Sequence, residues 1–176
     1  MTLQLKFLAL TLALLALQQL VASTFPEAFR PDLLLILALA LGLRHAATRS
    51  LLGAFALGFV MDLLSGAPVG TYALLRGTAC AATRLADRTL YLRAPLPWGV
   101  YSAAYQGVDF VLLGAISAFL LPQTGGDWTR LVAQAPGAMI ATGLAAIPLA
   151  ALLQRWSLVP APGASASLLA SGRPHE

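Results

Sequence analysis

Leu33-Leu34-Leu35-Ile36-Leu37-Ala38-Leu39-Ala40-Leu41-Gly42-Leu43 runs for eleven residues without a charge and stops at Arg44-His45. Pro31-Asp32 stand in front of it. That is a sensible helix start, because proline fits a first turn and a carboxylate favours the positive end of the helix dipole. A helix that crosses a bilayer needs roughly 20 mostly apolar residues, since the hydrocarbon layer is about 30 Å thick and each residue rises about 1.5 Å. This run reaches that length only when extended over 31–47, and the neighbouring runs decide whether it belongs to a membrane bundle.

They point one way. Residues 5–23 form an apolar stretch with Lys6 before it and Pro26 soon after. It has the look of a signal peptide ending at Val21-Ala22-Ser23, but is read here as a retained spanning helix. Further spans are expected over 50–64, 71–92, 98–121 and 131–153, the last with Pro136 and Pro148 inside it. Between the third and fourth, Ser65-Gly66-Ala67-Pro68-Val69-Gly70 is short enough only for a tight reversal. Composition agrees, with 59% hydrophobic and 10% charged residues. A soluble domain carries about 25% charged residues. The expected fold is therefore an all-α integral membrane protein, about six transmembrane helices in one bundle over 1–156, with a disordered tail over 157–176.

Lys6, Arg44, Arg49, Arg84, Arg88, Arg93, Arg155 and Arg173 all fall on one side of such a bundle, and only Arg30 and Arg130 on the other. The positive-inside rule puts both termini in the cytoplasm. The net charge of +4 comes from single residues between apolar runs, so it reads as topology and not as a nucleic-acid surface. One cysteine, Cys80, excludes an internal disulfide, and two distant histidines offer no metal site. No phosphate-binding glycine loop, nucleophile elbow or paired acid and base is present, which argues against an enzyme.

Asp62, Arg76 and Asp109 lie within membrane depth, where ionisable groups usually pair or face a wet cavity. Asp62 and Arg76 stand on either side of the tight reversal, so they can meet as a structural ion pair or take part in binding, and the sequence leaves open whether Arg76 pairs with Asp62, with Asp109 or with a lipid headgroup. Tyr101, Tyr105 and Asp109 recur every four residues, as do Ser102 and Gln106. That stripe is either an interior face, a pocket or partner groove, or an ion path. Small residues at the same spacing, Ala9/Ala13 and Ala54/Gly58 among them, permit close helix approach, though an alanine-rich chain produces them readily by chance.

Two stretches carry a resemblance. Arg30-Pro31-Asp32-Leu33-Leu34-Leu35 and Gly58-Phe59-Val60-Met61-Asp62-Leu63-Leu64-Ser65-Gly66-Ala67-Pro68-Val69-Gly70 together resemble the MreD family. The match lies in a Pro-Asp opening to the second helix and a G-x-x-x-D-x-x-S-G-x-P-x-G run closing the third. The resemblance implies a non-enzymatic scaffold in the bacterial cytoplasmic (inner) membrane, without cofactor. Its implied partners are MreC, the actin-like MreB filament, the RodA glycosyltransferase and its penicillin-binding transpeptidase, in lateral-wall peptidoglycan synthesis and rod shape. It also implies a fold similar to the substrate-binding subunits of energy-coupling-factor transporters. On that basis Arg30, Pro31, Asp32, Gly58, Asp62, Ser65, Gly66, Pro68 and Gly70 are expected to form an outer corner that docks MreC. The rival reading is a small-ligand-binding subunit of a vitamin-type transporter, with Gln106, Asp109 and the tyrosines lining the ligand site and Ala9/Ala13 facing a coupling protein.

Overall fold

The computed structural model describes residues 3–44, 47–65, 68–90, 92, 94–120 and 128–156. Gly66 and the tail over 157–176, expected to be disordered, lie outside the described residues. Among the described residues six helices follow one another: α1 Leu3–Thr24, α2 Leu33–Gly42, α3 Ala47–Ser65, α4 Thr71–Ala86, α5 Pro95–Leu120 and α6 Trp128–Arg155. A 3-10 turn, Glu27–Phe29, sits between α1 and α2. Among the described residues four helices contain segments long and apolar enough to cross a membrane: Phe7–Thr24, Ala47–Ser65, Pro95–Phe119 and Val132–Arg155.

The other two are shorter than the sequence suggests. α2 has 10 residues, about 15 Å of helix, and all of them are buried. A helix apolar on every side is stable only where protein or lipid surrounds it, and here protein does. Leu33 to Gly42 is thus the central pillar of the bundle, touching each of the other five helices. It stops at Gly42 because the Leu43 and Arg44 amides turn back to the carbonyls of Ala40 and Leu41. α4 stops at Ala86, where Asp87, Arg88 and Thr89 close successive turns onto Thr83, Leu85 and Ala86.

Two antiparallel pairs flank the pillar. α5 and α6 cross closely because Gly99 and Gly143 face each other, and Gly107 leaves room for Met139. α3 and α4 meet still more closely. A Cβ on Gly58 would overlap the carbonyl oxygen of Tyr72, so only glycine admits the α4 backbone there. α1 joins through Leu10 and Leu14, both buried, and through Gln18, whose Oε1 accepts from the backbone N–H of Leu33 at 2.9 Å. Ala9 and Ala13 stay on its exposed face. The 3-10 turn docks on α6, where Gly137 makes room for the Ala28 carbonyl and Gln134 donates to Glu27 at 2.8 Å.

Candidate functional site

The chain reverses between α3 and α4, and its motif residues build that corner. Gly70, at the N-cap of α4, has φ +101° and no side chain to satisfy the first amides of the helix. Asp62 on α3 does so instead. Its carboxylate accepts from the N–H of Gly70 at 2.9 Å, of Tyr72 at 2.8 Å and of Ala73 at 3.2 Å. Asp62 is 2% exposed, so the anion is withdrawn from solvent and held by the positive end of α4. Gly58, one turn earlier, lets the two backbones come close enough for this. Pro68 accepts from the N–H of Thr71, and Ser65 ends α3 on the surface.

At Gly70 a Cβ would meet nothing within 4 Å, so only the positive φ opposes a side chain there. Gly70→Ala is expected to lower stability by about 1–2 kcal/mol, the cost of a left-handed residue that is not glycine. Thermal denaturation in detergent reads it, and an unchanged midpoint would mean the corner tolerates another backbone.

The second cluster lies inside the bundle. Asp32 is the N-cap of α2, with Oδ1 accepting from the N–H of Leu35 at 2.8 Å. Its Oδ2 pairs with Arg76 Nη2 of α4. Arg76 is 0% exposed, and its Nη1 reaches both oxygens of Asp109 on α5, at 3.2 and 3.1 Å. The Tyr72 ring lies 5.8 Å from the guanidinium carbon. From the other side, the N–H of Asp32 donates to Thr142 Oγ1 of α6 at 3.1 Å, and that hydroxyl donates to Gln106 Oε1 of α5 at 3.2 Å. Polar side chains of α2, α4, α5 and α6 are thereby joined around one arginine. Two carboxylates face one guanidinium, and buried charge survives only when paired and hydrogen-bonded.

Arg76 does not pair with Asp62. The reason is helical phase: Ala73 and Gly77 turn toward α3, where they meet Gly58 and Phe55, while Arg76 turns to Asp32 and Asp109. The stripe on α5 faces inward, with Ser102, Tyr105, Gln106 and Asp109 buried and Tyr101 half-buried. Arg30 is the outlying member of its stretch: its Nε donates to the Phe25 carbonyl at 2.9 Å and secures the loop before Pro31. Gln18, Tyr72 and Thr142 were not singled out by sequence reasoning. The only signal for Gln18 and Thr142 is a polar residue interrupting an apolar helix.

Among the described residues no group of histidine, cysteine and acids can hold a metal ion. The family model described as rod shape-determining protein MreD matches residues 1–156. No curated protein and no solved structure matches the chain.

Proposed function

Because the chain belongs to the MreD family of rod shape-determining membrane proteins, we propose that it is the non-enzymatic scaffold subunit that holds MreC in the elongation complex. It sits in the bacterial cytoplasmic membrane with both termini in the cytoplasm and supports lateral peptidoglycan synthesis. The MreB filament, the RodA glycosyltransferase and its transpeptidase are its wider partners. The observation that carries this reading is the corner: Gly58, Asp62 and Gly70 are all used to fix the junction of α3 and α4 in one shape. A junction so constrained suits a docking surface. The polar residues of the interior support the same view, since Asp32, Arg76, Gln106 and Asp109 bond to one another or to Thr142.

The corner presents Pro68 and Val69 outward, Val69 at 73% exposure. Val69→Asp is expected to reduce MreC recovery about tenfold in a pull-down from mildly solubilised membranes, with the melting temperature unchanged. Full MreC recovery would move the docking surface elsewhere on the molecule. The same pull-down, read for small molecules as well as proteins, separates the transporter reading. A tightly held vitamin or a transporter coupling subunit would overturn the scaffold. MreC or wall synthases without a bound metabolite would support it.

A further inference from the structure

The packing registers bring four arginines to one level at the end of the bundle opposite the corner. α3 and α4 run antiparallel, with Gly58 beside Tyr72 and Ala73, and Phe55 beside Gly77. Continuing that register places Arg49, near the start of α3, at the level of Thr83 and Arg84 near the end of α4. α2 reaches the same level, because a Cβ on Gly42 would meet the Cys80 carbonyl oxygen and the Thr83 Cβ, each at 2.6 Å. Arg44 follows Gly42 by two residues, and Arg88 follows Arg84 by one turn. Arg49 and Arg88 are exposed, and Arg44 and Arg84 are half-buried. Asp87 is the acidic residue among the described residues of these helix ends.

Exposed leucines stand within a turn of the arginines on α3 and α4. Leu52, three residues from Arg49, is 64% exposed, and Leu85, three residues before Arg88, is also 64% exposed. Leu90 is 51% exposed. A soluble acidic protein would find charge here but would leave these leucines uncovered. A phospholipid meets both, with its phosphate on the guanidiniums and its chains along the leucines.

We propose that Arg44, Arg49, Arg84 and Arg88 form a site for the headgroup of an anionic membrane phospholipid whose acyl chains lie along Leu52 and Leu85. The phosphate would bridge the ends of α2, α3 and α4. This inference needs only that the chain lies in a membrane. It does not depend on MreC docking.

The test uses the full chain in a neutral detergent. Phosphatidylglycerol and phosphatidylcholine with the same acyl chains are added in turn, and retained lipid is counted by native mass spectrometry. Phosphatidylglycerol is expected to be retained at least tenfold over phosphatidylcholine, and increasingly displaced by salt. In the Arg49→Gln/Arg88→Gln variant that preference falls about tenfold with melting unchanged, and each single variant shows part of the fall. Arg130→Gln, at the other end of α6, leaves it intact. Equal retention of the two lipids, or an unaltered preference in the double variant, would overturn the site. So would displacement by equimolar inorganic phosphate, which marks a free-anion site, or by polyglutamate, which marks an acidic protein segment.

Discussion

Replacing Arg76 by methionine is expected to cost about 3–5 kcal/mol, enough to deplete the folded protein from membranes. The side chain is 0% exposed and is the only cation bonded to Asp32 and Asp109 among the described residues. Methionine fills much of the space but leaves two carboxylates facing each other at low dielectric, without a counter-charge. Lysine is a poor substitute as well, because one ammonium cannot reproduce the planar fork that reaches two carboxylates at once. Asp109→Asn should behave differently. It leaves one carboxylate on one guanidinium and keeps an oxygen for Nη1, so a loss of about 1 kcal/mol or less is expected. Immunoblotting of membranes and thermal melting in detergent measure all three. Arg76→Met and Asp109→Asn of equal stability would show that the cluster does not hold α2, α4 and α5 together.

Asp62→Ala is expected to cost about 3 kcal/mol or more. Three backbone N–H groups, of Gly70, Tyr72 and Ala73, lose their acceptor at once, and an unsatisfied buried donor costs about 1–3 kcal/mol. Asparagine at 62 should recover part of this, since one oxygen remains to accept while the amide nitrogen cannot. The order Asp, Asn, Ala in melting temperature is the result that checks it. MreC recovery should fall in the same order if the corner is the docking surface. Asp62→Ala with both folding and MreC recovery unchanged would remove the corner from the proposed function.

Asp62 and Arg76 show how far the sequence could be read. An aspartate in an apolar run demands a partner, and that demand is legible from residue type alone. Which partner it finds is not. Asp62 and Arg76 stand on neighbouring helices joined by a tight turn, so an ion pair between them is a reasonable expectation. Ala73 and Gly77 take the face toward α3, however, which aims Arg76 about a quarter-turn away, at α2 and α5. Asp62 then meets the backbone of α4, a partner that no residue type announces.

The sequence by itself determined that the chain is a helical membrane protein with six helices and a tight corner between the third and fourth. It did so because a backbone in hydrocarbon satisfies its own polar groups as a helix, and because glycine and proline punctuate what lies between. The matching motifs also brought it to its family. Only the tertiary structure decided that Leu33 to Gly42 is a pillar enclosed by protein. An apolar run reads alike whether lipid or protein surrounds it. The tertiary structure also decided that Asp32, Arg76 and Asp109 meet, and that Gln106 joins Asp32 through Thr142. Those contacts depend on the rotational phase of each helix and on glycine-scale gaps between backbones, which spacing along one chain does not encode.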